Sequence, residues 1–425
     1  MTYPETLRYL EGLGRFGIRP GLETIRALSE ALGRPEMRLR FVHVAGTNGK
    51  GSTCAFLEAM CREAGLRVGL YTSPHLVSFR ERIQVHREWI PEEAVVSWVE
   101  RIREILGGES LGKRIEATFF EVVTAVALAW FEQQSCDVVI WETGLGGRWD
   151  ATNLVVPTVS AITNIGWDHM QWLGNTLEAI AREKAGIFKR GVPAVTTEEQ
   201  PAVLQVLQEE AAAVGTNLRV VGPESPEWEV CRRGPLALRG AHQLRNAALA
   251  LAALNAGGWD DRVNESARTR GLAGAVWPGR FQELRIEGRT VVLDGAHNAP
   301  GFEVLDRTMG LEYPGRAFGL MVGMLAEKES GDALIRLAHR ATRVVVVRVH
   351  SLRAGDPADL AGRLLAAAPG RRVTTAESLR EGLAFLGEEP LVLVTGSLYL
   401  VGEALSLWGG ETRNERRLND WSPIR

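Results

Sequence analysis

Residues 46–53 combine glycines, a lysine and hydroxyl side chains in a pattern suited to binding a phosphate group. The stretch reads GTNGKGST and follows a strand-like run, FVHV. Glycines let the backbone turn tightly and aim its N–H groups at phosphate oxygens, while Lys50 and the positive end of a following helix favour negative charge. The usual pattern places Ser or Thr directly after the lysine, whereas here Gly51 precedes Ser52. A plain Gly-rich turn with a solvated lysine is the less favoured alternative.

Three apolar runs, residues 68–71, 137–141 and 158–164, are each followed by polar side chains that could bind a metal ion or a substrate. In chain order these side chains are Ser73, His75 and Arg82, then Glu142, Arg148 and Asp150, then Asp168 and His169. Short apolar runs of this kind are typical of buried strands in a parallel sheet. Ligands of an open α/β sheet bind beyond the carboxyl ends of its strands, so we expect these side chains beside the phosphate loop.

Helical spacing of apolar residues predicts the elements that position these side chains. Two short helices are expected before the first strand, and the helix after the phosphate loop is expected to end at Gly65. Further helices are predicted over residues 95–106, 119–131, 175–185 and 243–256, with a strand and a helix over residues 193–214. Residues 218–238 are predicted as strands and turns.

The turn WPGR at residues 277–280 is predicted to separate two domains, because strand and helix patterns restart after it. Strand-like runs then cover residues 290–293, 318–321, 344–349 and 391–394, with helical segments near Gly301, Gly331, Asp359, Ser378 and Tyr399. The predicted fold class is α/β with two doubly wound domains. These are an N-terminal P-loop ATPase domain, residues 1–278, and a smaller C-terminal Rossmann-like domain, residues 279–425.

Composition limits the classes of protein to which the chain can belong. Of the 425 residues, 45% are hydrophobic and 24% charged, an ordinary globular composition with a formal net charge of −3. No basic surplus favours nucleic acid, and no apolar run approaches the roughly 20 residues of a membrane helix. The four cysteines form no CxxC pair, and the first residues show no signal-peptide pattern. We expect a soluble, cytoplasmic protein that binds neither nucleic acid nor membrane.

Several longer motifs together resemble the folylpolyglutamate synthase/dihydrofolate synthase family, within the Mur ligase superfamily. They are GIRPGLETI, HVAGTNGKGST, YTSPHLVSFRERI, TFFE, ETGLGGRWDATN, WDHMQWLG, EKAGIF, HQLRNAALAL, PGRFQ, DGAHN and TGSLYLVGE, in the expected order over almost the whole chain. The resemblance implies an ATP-dependent ligase that adds L-glutamate to dihydropteroate or to the γ-carboxylate of a reduced folate through an acyl phosphate. Its partners would then be these small molecules, and we expect a monomer.

The resemblance also implies roles for individual residues. The implied ATP-binding residues are Gly46, Thr47, Asn48, Gly49, Lys50, Gly51, Ser52, Asn246, Arg280 and Asp294. The implied ligands of Mg²⁺, as two ions, are Ser73, Glu142, His169 and Lys184, and the implied catalytic residues are Lys50, Lys184, Asp294 and His297. The lysine at the position of Lys184 is carbamylated in several members of the superfamily, which requires a partly neutral amine. The alternatives are a surface pair with Glu183 or with the helix C-terminus for Lys184, and a turn or cap role for Asp294.

For the pterin end of the substrate, the resemblance implies Thr118, Phe120, Glu121, Trp149, Asp150 and Ala151. An aromatic face can stack on a flat heterocycle, and a carboxylate can accept its ring N–H groups. Phe120 has an alternative role in the buried helix that begins beside it. We interpret His43, inside the first strand, as structural, whereas His75 and Arg82 stay open between a structural role and orienting Ser73.

One departure from the family leaves part of the second domain open. The family often has Asp-Lys-Asp where this chain has Glu327, Lys328 and Glu329, so a role there in positioning glutamate or phosphate is undecided.

The dihydrofolate and folylpolyglutamate synthase activities share most motifs, and we expect both.

Two other functions are less favoured. A cell-wall Mur ligase normally has a further N-terminal domain, whereas only residues 1–40 precede the first strand here. A P-loop ATPase switch that forms no amide bond would leave Glu142, His169, Lys184 and the second domain without a purpose.

Overall fold

The computed structural model describes residues 1–14, 21–108, 115–328, 330–368 and 370–409, and it contains two β-sheets. The helices associated with the first sheet are α1 (Tyr3–Leu13), α2 (Glu23–Ala31), α3 (Lys50–Glu63), α4 (Glu92–Leu106), α5 (Phe119–Gln133), α6 (Met170–Leu173), α7 (Leu177–Ala185), α8 (Pro201–Val214), α9 (Pro226–Arg233), α10 (Ala241–Ala256) and α11 (Glu265–Gly274). Glu329 and the chain after residue 409 lie outside the described residues, as does part of the GIRPGLETI motif.

The first sheet has eight strands in the order β4-β3-β2-β5-β1-β6-β7-β8. The strands are β1 (Phe41–Ala45), β2 (Val68–Tyr71), β3 (Ile83–Val85), β4 (Glu88–Trp89), β5 (Val138–Glu142), β6 (Val159–Ile162), β7 (Ala194–Thr196) and β8 (Leu218–Val220). Strand β1 lies between β5 and β6 and pairs with both in parallel. Only the edge pairs β2–β3 and β3–β4 are antiparallel. The phosphate loop therefore leaves the middle of the sheet, with strand ends on both sides.

Both faces of this sheet are covered, so its central strands are mostly apolar, with His43, Ser160 and Glu142 as polar members. Phe41 packs on one face with Trp141 and residues of α2, α4 and α5. Val42 and Val44 pack on the other face with α3 and α10, and α11 packs on α3. This burial on both sides explains why β1 and β5 read as continuous apolar runs in the sequence.

The second sheet has six strands in the order β13-β12-β11-β14-β10-β9. Its strands are β9 (Gln282–Ile286), β10 (Arg289–Leu293), β11 (Gly319–Val322), β12 (Arg343–Val347), β13 (Arg372–Ala376) and β14 (Leu391–Thr395). Its helices are α12 (Ala299–Glu312), α13 (Gly331–Arg340), α14 (Pro357–Ala367), α15 (Leu379–Phe385) and α16 (Leu398–Trp408). All pairs are parallel except β9–β10 at one edge.

The predicted fold class, α/β with two doubly wound sheets, is confirmed. The prediction of strands and turns over residues 218–238 is wrong for residues 226–233, which form α9. That helix has a recognisable start, because Ser225 at its N-cap is followed by Pro226 at its first position. Strand β13, which has exposed residues, and β9 were not predicted because neither is an apolar run.

Two expectations from composition can be compared with the structure. No helix in the described ranges is long and apolar enough to cross a membrane. All four cysteines, Cys54, Cys61, Cys136 and Cys231, are buried free thiols, as expected from their spacing. Burial raises the pKa of each thiol above its usual value.

Candidate active site

The phosphate loop connects β1 to α3 through backbone conformations that favour glycine. Gly46 has φ of +143° and Gly49 has φ of +89°, both in the left-handed half of the map. A β-carbon on Gly46 would collide with Oγ1 of Thr163, and one on Gly49 would collide with Oδ1 of Asn246. Asn246, on α10, therefore lies directly against the loop.

Residues beyond the carboxyl end of β6 hold the loop in this shape. The backbone N–H of Thr47 donates to the carbonyl of Asn164 at 2.8 Å, and the N–H of Asn48 donates to the Asn164 side chain at 2.9 Å. The hydroxyl of Thr163 donates to the carbonyl of Asn48 at 2.7 Å. The loop is thus positioned by the residues that follow the neighbouring strand.

The inserted glycine of the loop has a packing reason. A β-carbon on Gly51 would lie 2.7 Å from the indole ring of Trp277, the residue immediately before Pro278. Such a distance is far inside ordinary van der Waals contact, so only glycine lets this ring approach the first turn of α3. Ser52 is buried in the same turn, and its hydroxyl accepts from Nε2 of Gln243 at 3.3 Å.

Two lysines donate to the loop. Nζ of Lys50 donates to the carbonyls of Gly46 and Thr47 at 3.1 and 3.2 Å, and Nζ of Lys184 donates to the same Gly46 carbonyl at 2.8 Å. Lys184 is buried at the end of α7. Burial, together with the charge of Lys50, lowers the pKa of Lys184 to about 7. Its amine is therefore neutral in a substantial fraction of molecules near neutral pH, and the alternative of a surface pair with Glu183 is wrong for Lys184.

A cavity of about 420 Å³ lies at the carboxyl ends of β1, β2, β5 and β6 and reaches the second sheet. The predicted site residues that line it are Thr47, Asn48, Gly49, Lys50, Gly51, Ser52, Ser73, Thr118, Phe120, Glu121, Glu142, Trp149, Asp150, Ala151, His169, Arg280 and His297. Gly46, Lys184, Asn246 and Asp294 lie behind this wall rather than on it. Arg148 does not line the cavity and pairs with Glu210 at 2.8 Å.

Three of the four residues predicted to bind Mg²⁺, Ser73, Glu142 and His169, line the cavity, whereas Lys184 does not. Oε2 of Glu142 accepts the backbone N–H of Ser73 at 3.0 Å, which ties the end of β5 to the loop after β2. Burial raises the pKa of Glu142 to about 7, an effect that the charge of Lys50 opposes. His169 is the N-cap residue of α6 with φ of +50°, and 41% of its side chain is exposed. Partial loss of solvent lowers its pKa to about 4 against the opposing charge of Asp168.

The hydroxyl and carboxylate of this donor set suit a hard divalent cation, whereas an imidazole is a less common ligand for Mg²⁺. Ser73 offers a hydroxyl, Glu142 a carboxylate whose ionised form burial disfavours, and His169 a neutral imidazole. A cation near Glu142 would favour its ionised form and so offset the cost of burying that charge. In the part of the chain that the structure describes, no cluster of three or more His, Cys, Asp and Glu side chains could hold a metal. The predicted set contains only two of those types, so water would have to complete the shell.

The residues predicted to bind the pterin surround the start of α5. Thr118 and Glu121 form a capping box, in which the N–H and hydroxyl of Thr118 both donate to Oε2 of Glu121 at 2.8 Å. A β-carbon on Gly144 would fall inside van der Waals contact with the Phe120 ring, which therefore packs on that backbone. Trp149 is half exposed at the cavity rim. These positions leave one aromatic face and two carboxylates, Glu121 and Asp150, along the same wall.

The second sheet contributes residues at the ends of β10, β11 and β12. Asp294 is half-buried and accepts the backbone N–H groups of Phe281 and Ala296 at 2.9 Å each, so it has the turn role offered as an alternative. Nδ1 of His297 donates to the carbonyl of Gly295 at 2.7 Å, and burial lowers the pKa of His297 to about 4. Arg280 lines the cavity beside it.

Comparison with known proteins identifies the family. Residues 44–230 match the Mur ligase middle domain, and residues 279–398 match the Mur ligase glutamate ligase domain. The dihydrofolate synthase/folylpolyglutamate synthase of Bacillus subtilis is 37% identical over 430 residues, which cover 94% of this chain and 98% of that protein. The chain belongs to the folylpolyglutamate synthase/dihydrofolate synthase family. The predicted family is confirmed, and a cell-wall Mur ligase is not favoured.

Solved structures of this family have the same fold. Folylpolyglutamate synthase of Thermotoga maritima is 35% identical with a TM-score of 0.81, and the match covers 98% of this chain and 99% of that one. E. coli FolC in complex with DHPP and ADP is 33% identical with a TM-score of 0.83, and the match covers 96% of this chain and 98% of that one.

Several cavity residues of this family member were not predicted as site residues. Nζ of Lys328 forms a salt bridge of 2.7 Å with Oδ1 of Asp168, between the two sheets. Arg353 and Tyr399 also line the cavity, and Arg353 pairs with Glu327. Lys328 and Arg353 follow β11 and β12. The rule that ligands bind beyond the carboxyl ends of strands, applied to the second sheet, would have found them.

Arg82 also lines the cavity, and its role was left open. Its Nε donates to Nδ1 of His75 at 2.8 Å, and its guanidinium lies 5.3 Å from the ring centre of Phe119. Burial lowers the pKa of Arg82 to about 10. The two side chains orient each other, and Arg82 alone of the pair reaches the cavity.

Proposed function

We propose that the chain is an ATP-dependent ligase that joins L-glutamate to dihydropteroate and to the γ-carboxylate of reduced folates. The observation that carries this proposal is one cavity that is lined by the phosphate loop, by Glu142 and His169, and by cations that follow strands of the second sheet, Lys328 and Arg353. In the first step an oxygen of the substrate carboxylate attacks the γ-phosphorus of ATP and ADP leaves. In the second step the glutamate amine attacks the acyl carbon and phosphate leaves.

Residues of the loop and helix α3 bind the ATP phosphates in this proposal. Nζ of Lys50 donates to two carbonyls of the loop, and a phosphate oxygen can replace either of them as acceptor. Asn246 lies against Gly49, on the side proposed for adenine, and Arg280 lies between the sheets, where it can neutralise charge on the phosphoryl group. Asp294, which holds the turn before Ala296, and His297 are proposed to contact the nucleotide or the incoming glutamate.

Mg²⁺ ions are proposed to bind Ser73, Glu142 and His169, with a carbamylated Lys184 as the ligand of a second ion. Bound there, Mg²⁺ would neutralise charge on the transferred phosphoryl group. The lowered pKa of Lys184 supports carbamylation, because only the neutral amine reacts with carbon dioxide.

The pterin is proposed to bind at Thr118, Phe120, Glu121, Trp149, Asp150 and Ala151. The carboxylates of the incoming glutamate are proposed to meet Lys328 and Arg353, since both cations line the cavity from the second sheet.

The organisation of the whole chain follows from this assignment. We propose an ATP-binding domain of residues 1–278 and a glutamate-ligase domain of residues 279–425, which close on the nucleotide about Pro278 and Gly279. A monomer in the cytoplasm fits the proposal, because one chain contains every group that the reaction needs.

A direct assay tests the function. Purified protein is incubated with ATP, Mg²⁺ and dihydropteroate or a reduced folate, with and without L-glutamate, and phosphate release and product mass are measured. We expect glutamate-dependent phosphate release and a product heavier by one glutamyl unit. Phosphate release that is the same with and without glutamate, and that gives no heavier product, would show that the chain is not this ligase.

A further inference from the structure

His43 is a fully buried polar residue in the central strand β1. Its neighbours Val42 and Val44 pack into the core on the opposite face of the sheet. Burial lowers the pKa of His43 to about 3, and the charge of Lys189 acts in the same direction, so the imidazole is neutral. A neutral imidazole has one N–H donor and one acceptor nitrogen.

A chain of hydrogen bonds runs from His43 to the cavity. Nε2 of His43 lies 3.0 Å from Oγ1 of Thr152, and the hydroxyl of Thr152 donates to Oδ1 of Asp150. Because a hydroxyl has one proton and Thr152 gives it to the carboxylate, its oxygen must accept from Nε2–H of His43. Nδ1 of His43 has no hydrogen-bond partner among the described residues, which suits an unprotonated nitrogen.

Asp150 connects this chain of bonds to the cavity wall. Its Oδ2 accepts the backbone N–H groups of Gly144 and Leu145 at 3.0 and 2.8 Å, and its Oδ1 accepts the N–H of Thr152 at 3.0 Å. Asp150, Gly144 and Leu145 all line the cavity. Since the Phe120 ring packs on Gly144, a displaced carboxylate would move both the loop and the aromatic face.

The hydrogen bonds of His43 and Thr152 hold the Asp150 carboxylate in a way that packing alone does not. The backbone of Thr152 is already fixed, because Nε1 of Trp141 donates to its carbonyl at 3.0 Å. An apolar residue at position 43 would fill the same space in the core without the cost of burying a polar group. The hydroxyl and imidazole therefore act on the orientation of the Asp150 carboxylate.

We infer that His43 is a positioning residue for the pterin subsite: through Thr152 it fixes the carboxylate of Asp150 and the wall formed by Gly144 and Leu145. That the ligand of this subsite is a pterin rests on the proposed function, whereas the hydrogen bonds that join His43, Thr152 and Asp150 do not depend on it. His43 does not line the cavity, so it acts only through Thr152 and Asp150.

Matched variants separate positioning from packing. His43→Gln keeps an N–H near the position of Nε2, whereas His43→Met fills a similar volume without a donor. Thr152→Ser keeps the hydroxyl, whereas Thr152→Val replaces it with a methyl group. The Met and Val variants should raise KM for dihydropteroate about tenfold, as expected for a lost hydrogen bond in a chain that ends on a charged group. KM for ATP should stay unchanged, and the Gln and Ser variants should behave like the original protein.

A second readout needs no turnover. Hydrogen exchange at the amides of Gly144 and Leu145 should be faster in the Met and Val variants and unchanged in the Gln and Ser variants. The double variant His43→Met/Thr152→Val should be no worse than either single variant, because both break one chain. Equal exchange in all variants, or an equal rise of KM for ATP, would overturn the inference. Absence of any dihydropteroate turnover in the original protein contradicts the proposed function instead, and the exchange comparison still decides the role of His43.

Discussion

Lys50 and Lys184 donate to the same carbonyl of Gly46, yet their surroundings suit them to different chemistry. Lys50 lines the cavity and is placed to act as a cation. Lys184 lies behind the loop, and its pKa of about 7 reflects burial first and the charge of Lys50 second. We therefore propose that the same residue type serves as a phosphate-binding charge in one place and as a reactive amine in the other.

Carbamylation of Lys184 should depend on pH. The folded pKa lies below the ordinary value of a lysine, so the amine is protonated below about pH 7 and neutral above it. With ¹³C-labelled bicarbonate, we expect a carbamate NMR signal that grows as pH rises through 7 and disappears below it. Lys50→Ala removes a charge that lowers this pKa, so the rise should move to higher pH.

The same residue offers an activity test. Lys184→Ala should lower kcat roughly 100-fold, as loss of one preorganised electrostatic group often does. Added short-chain carboxylic acids should restore part of this activity, since they replace the carbamate. Lys50→Ala should also lose activity but gain nothing from the acids. A fully active Lys184→Ala variant would remove the carbamate from the mechanism.

His169→Ala tests the metal set. Loss of one ligand should raise the Mg²⁺ concentration needed for half-maximal activity roughly tenfold. His339→Ala is the matched control, because His339 is exposed in the last turn of α13. Identical Mg²⁺ titrations for His169→Ala and the control would take His169 out of the coordination shell.

At the scale of single residues, 17 of the residues named from the sequence line one cavity. The phosphate loop and the strand-end positions Glu142, Asp150 and His169 follow from local pattern, whereas most of the others rest on the family resemblance. Sequence reasoning could not find the Lys328–Asp168 pair, whose members are 160 positions apart and meet only through tertiary packing. Nor could it show that the carboxylate of Asp294 is engaged by the backbone of Phe281. The Lys328–Asp168 contact depends on how the two sheets approach each other, and the Asp294–Phe281 contact depends on the pairing of β9 with β10. Local sequence pattern encodes neither.

At the scale of elements, the helices that follow apolar periodicity were predicted and α11 was not. Its sequence, ESARTRGLAG, has glycines and few apolar residues. The structure shows why it is nevertheless a helix that packs closely on α3. A β-carbon on Gly271 would lie 2.5 Å from backbone atoms of Met60, so the two helices approach through this glycine. Helix α11 thereby supports the helix that starts at the phosphate loop.

Two glycines of α11 provide a matched test of this packing. Gly271→Ala should lower the free energy of unfolding by about 1–3 kcal/mol, because α3 and α11 must separate. Gly274→Ala has no atom within 4 Å of the added β-carbon and should be neutral or slightly stabilising. Thermal unfolding of both variants measures the difference. Equal melting temperatures would show that the close approach of α3 and α11 has no energetic importance.

At the scale of the whole molecule, the two sheets contact each other through polar side chains across the cavity and through Leu76 and Val77, which belong to the apolar cluster of the second sheet. Lys328 and Asp168 are largely buried where they meet, with 12% and 17% of their side chains exposed. Nδ2 of Asn298 also donates to Oδ1 of Asn48 at 3.3 Å, between α12 and the phosphate loop. Polar contacts of this kind can exchange for ligand contacts more readily than an apolar interface can, which suits domains that open and close.

Lys328→Ala should weaken this closed arrangement. It leaves Asp168 buried without its partner, so the protein should populate more open forms and show a larger radius of gyration in small-angle X-ray scattering. Arg348→Ala is the control, because Arg348 pairs with exposed Glu377 inside the second sheet region. A Lys328→Ala variant as compact as the control would show that this salt bridge does not hold the sheets together.

The central claim is that ATP activates the substrate carboxylate as an acyl phosphate, and isotope transfer tests it most directly. Dihydropteroate labelled with ¹⁸O in its carboxylate is incubated with the protein, ATP, Mg²⁺ and L-glutamate, and the released phosphate is analysed by mass spectrometry. The mechanism predicts one ¹⁸O atom in each phosphate, because the carboxylate oxygen that attacks phosphorus leaves with it. Phosphate without ¹⁸O, beside a glutamylated product, would contradict the acyl phosphate.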